Sequence, residues 1–284
     1  MELFDTHAHY NDEKFDNDRK QVIQDIYNSN VTMLVNAGYS VESSIKGVEI
    51  AKDYDWMFNI VGVSPNDIAE GVDEIDKQIS RIEDLVKKDQ NIVKDVESDT
   101  AESLNIVNNN RKIVAIGEIG LDYYWEKDPK ARANQQYWFR RQMNLAREKK
   151  LPIVIHSRDA AKDTLDIAKE EKLSEIGGVV HCFSYSVEMA REYLNMGMYL
   201  GIGGVLTYKN ARVLKEVVDY APMDRLVLET DSPYLTPVPN RGKRNSSQNL
   251  PYVVMAIAEI KGITTKEVED ITWENAVKMY RMSL

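Results

Sequence analysis

Residues 177–204 read "GGVVHCFSYSVEMAREYLNMGMYLGIGG" and contain one complete strand–helix–strand repeat. Two short apolar runs, "GGVVHCF" and "MYLGIGG", flank the segment "VEMAREYLNMG". Within that segment the apolar residues recur at three- and four-residue spacing, as they do on an amphipathic helix. The stretch therefore predicts two parallel strands joined by a helix.

The same alternation extends along the whole chain. Eight apolar runs are separated by longer helix-like segments, and the runs are "ELFDT", "TMLVNA", "MFNIVGV", "KIVAIGE", "PIVIHS", "GGVVHCF", "MYLGIGG" and "RLVLETD". A doubly wound open sheet would give a similar local pattern, but a count of eight favours a barrel. The sequence therefore predicts an α/β fold of the (β/α)8 barrel type.

One connection is unusually long. Residues 87–112 read "KKDQNIVKDVESDTAESLNIVNNNRK", which is polar and rich in Asp and Asn. We interpret this segment as an insertion with room for an additional helix, and not as a domain boundary. The expected organisation is a single barrel domain spanning residues 1–284.

Composition excludes several classes of protein. The 284-residue chain is 43% hydrophobic, and no apolar run approaches the roughly 20 residues of a membrane span. The polar N-terminal residues do not resemble a secretory signal, and the single cysteine, Cys182, cannot form an intrachain disulfide. We therefore expect a cytoplasmic protein with no membrane association and no evident obligatory protein partner. A net charge of -10 argues against a general nucleic-acid coat protein but permits a local basic cleft.

All four histidines fall at predicted strand ends. His7 and His9 belong to "DTHAH", His156 follows "PIVI", and His181 follows "GGVV". In a (β/α)8 barrel the chemistry is located where each strand passes into its following loop. Because alternate strand residues point to the same face, His7 and His9 are spaced to hold one metal ion. An isolated His-x-His pair is often an ordinary surface feature, but the shared position of all four histidines favours metal binding.

Two carboxylates complete this pattern. Glu118 ends the fourth run and Asp231 ends the eighth. Either acid alone could instead pair with an arginine or cap a helix. Together, four imidazoles and two carboxylates can bind two divalent ions, with a carboxylate bridging them.

Five motifs in a fixed order resemble the TatD-type metal-dependent deoxyribonucleases of the amidohydrolase superfamily. The motifs are "DTHAH", "GEIGLDYYW", "IVIHSRDA", "HCFSYS" and "LETDSPYLTPVPNRGKRN". The resemblance covers nearly the whole chain. It implies a (β/α)8 barrel that hydrolyses phosphodiester bonds in DNA, often from the 3′ end. By the family's pattern, His7 and His9 hold one metal, His156 and His181 hold the other, Glu118 bridges, and Asp231 binds metal and acts as the base.

One motif departs from the family. The third run usually ends in Gly-x-His-Pro, whereas this chain reads "VGVSPND", so Ser64 stands where a histidine is common. A serine can hydrogen-bond a phosphate but cannot supply an imidazolium ion. We expect Ser64 to be a substrate contact, partly assisted by Asn66, with the metal ligands unaffected.

Other residues are candidates for substrate contacts. Phosphate positioning is expected from Arg158, two residues after His156, and from Arg241, Lys243 and Arg244 in "RGKRN". A basic cluster of this kind is otherwise a solvated loop. The aromatic run "DYYW" at residues 122–125 suits either stacking against a nucleobase or packing against its own loop.

The expected chemistry is hydrolysis with one or two divalent ions. Two metals generate a nucleophile at neutral pH and relieve negative charge on the phosphate. Mixed imidazole and carboxylate ligands leave Zn, Mn, Mg and Co open. Two alternatives remain, namely a small-molecule amidohydrolase or esterase on the same barrel, and a catalytically silent binding protein. Glu118, where many amidohydrolases use a modified lysine, and the "RGKRN" cluster favour phosphodiesters, and the complete ligand set argues against a silent protein.

Overall fold

All eight predicted runs form β-strands in the computed structural model, which describes residues 2–68, 71–92 and 111–282. The strands are β1 (Leu3–Ala8), β2 (Val31–Ala37), β3 (Met57–Val61), β4 (Ile113–Asp122), β5 (Ile153–Arg158), β6 (Gly178–Val180), β7 (Tyr199–Ile202) and β8 (Leu226–Leu228). They are hydrogen-bonded in chain order from β1 to β8.

Helices alternate with these strands along the chain. The described residues include α1 (Arg19–Tyr27), α2 (Val41–Ala51), α3 (Val72–Ile92), α4 (Pro129–Lys149), α5 (Ala161–Glu170), α6 (Val187–Asn195), α7 (Arg212–Tyr220), α8 (Leu250–Lys261) and α9 (Thr265–Met279). Parallel pairing in chain order differs from a doubly wound sheet, in which the strand order reverses at a switch point. The fold is a (β/α)8 barrel, as predicted.

Local sequence signals explain where the helices begin and end. Ser40 caps α2, and its hydroxyl accepts from the backbone N–H of Ser43, whose own hydroxyl accepts from the backbone of Ser40. Asp128 caps α4 and is followed by Pro129, which lacks the N–H that would be unpaired at that position. That helix ends at Lys150 in a left-handed conformation.

The chain divides into two compact units, of which the first comprises Met1–Asn36 and Val179–Met279. In this unit β1 pairs in parallel with β2, and β7 pairs in parallel with both β6 and β8. Strand β8 also adjoins β1, because the hydroxyl of Thr6 donates to the carbonyl of Leu228 at 2.8 Å. The backbone N–H of Asp231 donates to the carbonyl of His7 at 2.9 Å, which fixes the loop after β8 against the end of β1.

The second unit comprises Ala37–Gly178 and Tyr280–Leu284. Here β4 pairs in parallel with β3 and β5, and all ten residues of β4 are buried, as is typical of strands covered on both faces. Gly120 has φ +146°, and a Cβ at this position would lie 1.9 Å from the carbonyl oxygen of His156. Only glycine permits this close approach between β4 and β5.

The predicted long connection begins later in the chain than the sequence indicated. Residues 87–92 complete α3, and residues 93–110, on which the additional helix was predicted, lie outside the described residues. The carboxylate of Asp89 accepts from the backbone N–H groups of Lys112 and Ile113 at 2.8 and 3.1 Å. It therefore joins the last turns of α3 to the first residues of β4.

No helix among the described residues is long and apolar enough to cross a membrane. The expectation that residues 1–284 form a single domain remains a prediction.

Candidate metal centre

The first unit places two imidazoles and a carboxylate at the end of β1. His7 lies in β1 and His9 follows it, and their Nε2 atoms are 3.2 Å apart, as the alternation of side chains predicts. The Oδ1 atom of Asp231 lies 3.1 Å from Nε2 of His9 and 3.8 Å from Nε2 of His7. Three potential ligand atoms thus face one point, and these residues form a group that could hold a metal ion.

Asp231 is positioned by a buried network beneath it. Asp231 itself has φ +56°, and the preceding Thr230 is held by Asp5, whose carboxylate accepts from the Thr230 N–H at 3.0 Å and from its hydroxyl at 2.6 Å. The Ser247 hydroxyl also donates to Asp5, at 2.5 Å. Burial raises the pKa of Asp5 to about 6, although these hydrogen bonds oppose the shift. Sequence reasoning did not identify Asp5, even though it precedes His7 by two residues.

Imidazole contacts set the charge state of Asp231. Burial by itself would raise its pKa, because desolvation disfavours the carboxylate. The hydrogen bond with His9 and the nearby charges of His9, His181 and His7 outweigh this effect and lower the pKa. Asp231 is therefore held as the anion, which is the form that binds a metal.

His181 also belongs to this cluster. It follows β6, and its ring stacks on that of His7 with the centroids 4.1 Å apart. Its Nδ1 lies 3.9 Å from Oε1 of Glu229, which is 1% exposed and accepts from the backbone N–H of Cys182 at 2.6 Å. Burial raises the pKa of Glu229 to about 8. Sequence reasoning missed Glu229, although "LETD" places it two residues before Asp231.

The second unit contains a cluster of ionisable side chains on β4 and β5. Nδ1 of His156 lies 2.6 Å from Oε1 of Glu118, and Nε2 of His156 lies 3.2 Å from Oδ2 of Asp122. Burial lowers the pKa of His156, but the two carboxylates more than reverse this effect and raise it to about 10. Sequence reasoning missed Asp122, although it follows Glu118 by four residues on the same strand.

Asp122 organises the surrounding loops as well. Its carboxylate accepts from the backbone N–H groups of Tyr124 and Trp125 at 3.0 and 3.2 Å. The side-chain amide of Asn66 donates to Oδ2 of Asp122 at 3.2 Å. Asn66 therefore supports Asp122 in addition to its predicted role as a substrate contact.

The substrate contact expected of Ser64 stays a prediction, and the structure adds a hydrogen bond within the loop after β3. Ser64 is only 6% exposed, and its hydroxyl donates to Oδ2 of Asp67 at 2.7 Å. Because a hydroxyl has one proton, it cannot donate to a phosphate while this bond is made. Ser64 orders the loop after β3.

The predicted basic residues differ in their surroundings. Arg158 is exposed, and its guanidinium carbon lies 3.9 Å from the ring centroid of Tyr124. Arg241 lies over the ring of Tyr208, with its guanidinium carbon 4.3 Å from the centroid, and Lys243 is exposed. These three cations remain compatible with phosphate binding.

Arg244 was also predicted to bind phosphate, and the structure shows it in an ion pair with Asp18. Its guanidinium donates to both carboxylate oxygens of Asp18, at 2.9 and 2.6 Å, and to the carbonyl of Lys14 at 2.7 Å. It also lies over the ring of Phe15, 4.7 Å from the centroid. Through these contacts Arg244 attaches the loop after β8 to the start of α1.

The donor chemistry of the first unit fits a divalent cation. Two imidazole nitrogens and one carboxylate oxygen, from His7, His9 and Asp231, lie within 3.8 Å of one another. Such mixed nitrogen and oxygen ligands are typical of catalytic sites for transition-metal ions. Glu118 and His156 offer a further oxygen and nitrogen in the second unit.

Comparison with known proteins places the chain among hydrolases. Residues 4–281 match the family model described as TatD related DNase. The chain is 41% identical over 281 residues to YabD of Bacillus subtilis (strain 168), an uncharacterised metal-dependent hydrolase, covering 99% of this chain and 100% of that protein.

Solved structures show the same fold. The TatD homologue YjjV from Escherichia coli K12 superposes with a TM-score of 0.84 at 23% identity, covering 99% of this chain and 98% of that one. A TatD family hydrolase from Entamoeba histolytica superposes with a TM-score of 0.80, also at 23% identity, covering 100% and 99% of the two chains. The chain therefore belongs to the TatD-related DNase family and is a metal-dependent hydrolase.

Proposed function

We propose that this protein is a divalent-metal-dependent deoxyribonuclease that hydrolyses phosphodiester bonds in DNA and removes nucleotides from a strand end. The observation that carries the proposal is the convergence of His7, His9 and Asp231, whose ligand atoms lie 3.1 to 3.8 Å apart. The family match over residues 4–281 supports DNA as the substrate.

The proposed ligand set follows the family's pattern. In that pattern His7, His9 and Asp231 would hold an ion, and His156, His181 and Glu118 would supply the remaining ligands. Zn, Mn, Mg and Co remain the candidate ions, with the imidazoles favouring a transition metal. When bound, divalent ions activate a water molecule and neutralise the charge of the phosphate.

The protein's own groups move the proton and position the substrate. Asp231 accepts the proton from the attacking water, because its carboxylate is kept ionised by the imidazoles beside it. Arg158 positions a phosphate, since no described carboxylate pairs with its exposed guanidinium. Arg241 and Lys243 also contact phosphates of the DNA backbone. A cytoplasmic location is part of the proposal, because a single cysteine suits a reducing compartment.

The test is a nuclease assay on end-labelled single- and double-stranded DNA. The protein is stripped with a chelator, reloaded separately with each candidate ion, and compared with the stripped form. We expect a ladder of products that shortens from one end, only after reloading. A parallel panel of lactones and amides tests the small-molecule amidohydrolase alternative. Hydrolysis of that panel without cleavage of DNA by any reloaded form would overturn the proposal in favour of that alternative.

A further inference from the structure

A cavity of about 490 Å³ opens beside Asp122 in the second unit. Its walls come from the loop after β3, the loop after β4 and the first turns of α4, and they include Asn66, Trp125, Glu126 and Asn134. Small-molecule sites commonly have volumes of about 300 to 1,000 Å³. The cavity is therefore large enough for a planar heterocycle.

Trp125 gives this cavity a large exposed aromatic wall. Its side chain is 67% exposed, the largest exposed fraction of any large apolar residue in the part of the chain that the structure describes. The neighbouring Tyr124 meets it edge to face, with ring centroids 4.8 Å apart. Aromatic side chains left open to solvent beside a cavity are the platforms on which nucleic-acid bases stack.

The backbone that carries this platform is held rigidly. Asp122 accepts from the N–H groups of both Tyr124 and Trp125. The guanidinium of Arg132 donates to the carbonyls of Glu126 and Tyr123 at 2.9 and 3.3 Å. A platform that is ordered before binding loses little conformational entropy when a ligand stacks on it.

The polar groups of the cavity suit an uncharged ligand that both donates and accepts hydrogen bonds. None of the described residues that line it is cationic, and Glu126 is acidic, so the lining disfavours a phosphate. Asn134 contributes a side-chain amide, which is able to pair with the edge of a base. Arg158 is exposed and is not among the lining residues, and its guanidinium carbon lies 3.9 Å from the Tyr124 centroid and 5.7 Å from the Trp125 centroid.

The cavity is linked to the cluster on β4 and β5 that contains His156. Asn66 lines the cavity and donates to Oδ2 of Asp122 at 3.2 Å. The same oxygen lies 3.2 Å from Nε2 of His156. Two hydrogen bonds thus connect a residue that lines the cavity to His156, a proposed metal ligand.

We propose that this cavity binds the base of the nucleotide at the end of the DNA strand, stacked on Trp125, while Arg158 contacts the adjoining phosphate. The proposal rests on the proposed nuclease function and adds a subsite that recognises the base. It predicts that the enzyme binds the terminal base as well as the sugar–phosphate backbone.

The test compares two single-stranded oligonucleotides with the metal-loaded enzyme. They differ only in their terminal residue, which carries either a base or a base-free sugar. We expect the wild type to remove the residue with a base about tenfold faster in kcat/KM, within the range that stacking supplies. Trp125→Ala should reduce this preference to less than about twofold.

Two control variants separate stacking from a general effect. Trp125→Phe should retain most of the preference, because a phenyl ring still offers a stacking face. Tyr137→Ala removes an aromatic side chain that is 41% exposed on α4 and is not among the residues lining the cavity, so it should match the wild type. Equal wild-type rates on both ends, or a preference that survives in Trp125→Ala, would overturn the proposal.

A binding measurement distinguishes failure of this proposal from failure of the nuclease function. Titration of the metal-loaded protein with deoxyadenosine monophosphate should quench tryptophan fluorescence in a saturable manner. The quench should be absent in Trp125→Phe, which keeps the other three of the four tryptophans. Quenching without DNA cleavage would overturn the nuclease function and retain the base subsite. Cleavage of DNA with no quenching that depends on Trp125 would overturn the subsite alone.

Discussion

The imidazole of His156 lies between two carboxylates, with Nε2 3.2 Å from Oδ2 of Asp122 and Nδ1 2.6 Å from Oε1 of Glu118. Its orientation is therefore fixed from both edges of the ring. Metal-binding histidines usually have such a partner on the nitrogen that does not face the metal. Asp122 is thus a positioning residue for His156. Its carboxylate also accepts from the backbone N–H groups of Tyr124 and Trp125, so it fixes the loop after β4 as well.

We predict that Asp122→Asn weakens metal binding by about 10- to 100-fold, because the partner of His156 loses its charge. The variant should still fold, since the amide oxygen accepts from the same backbone N–H groups. Metal affinity is measured by competition with a chelator, and folding by circular dichroism. Asp163→Asn is the matched control, because Asp163 accepts from the hydroxyl of Tyr123 on the same loop. Equal metal affinities in both variants and the wild type would contradict the positioning role.

Asp231→Asn should reduce turnover on DNA by at least about 100-fold, the low end of the contribution of a general base. The amide neither accepts the proton of the attacking water nor supplies the negative charge that two imidazoles face. Circular dichroism should show an intact fold, because the backbone N–H of Asp231 still donates to the carbonyl of His7. Retention of most of the nuclease activity would show that Asp231 is not the base.

We expect Lys243→Ala to affect DNA binding and Arg244→Ala to affect stability. Lys243→Ala should weaken DNA binding and lower its dependence on salt, because one phosphate contact is lost. Arg244→Ala should leave that dependence nearly unchanged and instead lower the free energy of unfolding by about 0.2 to 1 kcal/mol, as for a surface ion pair. Binding is measured across a salt series, and stability by urea unfolding. If Arg244→Ala alone lowered the salt dependence of DNA binding, the result would support the predicted role of Arg244 in phosphate binding.

The effect of Arg244→Ala on stability should also depend on pH. Arg244 lowers the pKa of the Asp18 carboxyl below its usual value in the folded state. A lowered carboxyl pKa stabilises the fold above the unfolded value of about 4 and ceases to do so as the pH falls through the folded value. The difference in stability between the wild type and the variant should therefore be largest near pH 7 and should narrow on acidification. A difference that does not narrow at low pH would exclude the charge of Asp18 as a source of the stabilisation.

Ser64→Ala should change turnover by less than about tenfold and leave the metal content unchanged, because the hydroxyl contacts Asp67. The lost hydrogen bond should cost about 0.5 to 1.5 kcal/mol of stability. Steady-state kinetics, metal analysis and thermal unfolding of the same preparation measure these effects. A loss of activity far above tenfold at constant stability would indicate that Ser64 contacts the substrate directly.

Gly201→Ala should displace Glu229, because a Cβ at this position would lie 2.1 Å from Oε2 of that side chain. We expect a loss of about 1 to 3 kcal/mol in stability, as for other overpacked interiors, together with weaker metal binding. Gly203→Ala is the control, since its Cβ would lie 3.3 Å from the carbonyl oxygen of Glu229. Urea unfolding and metal titration compare the two variants. An undiminished metal affinity in Gly201→Ala would separate Glu229 from the metal centre.

Local pattern was sufficient to identify the strands and the principal candidate ligands. Apolar runs and helical spacing depend on near neighbours in the chain, and they located all eight strands. Side-chain alternation depends on the geometry of a single strand, so it placed His7 and His9 together before any fold was known. The ordered motifs likewise identified the family, which the match over residues 4–281 confirms.

The partners of those residues could be assigned only from the tertiary structure. Asp122 contacts His156 across 34 residues of chain, Glu229 contacts Cys182 across 47, and Arg244 contacts Asp18 across 226. Whether a carboxylate orients an imidazole, or an arginine is already paired with an acid, depends on such distant contacts, and no sequence spacing encodes them. The amino-acid sequence thus determined which groups are present at the strand ends. Packing of distant segments decided their charge, their orientation and which cations remain exposed, because electrostatic and hydrogen-bond energies depend on distance in space.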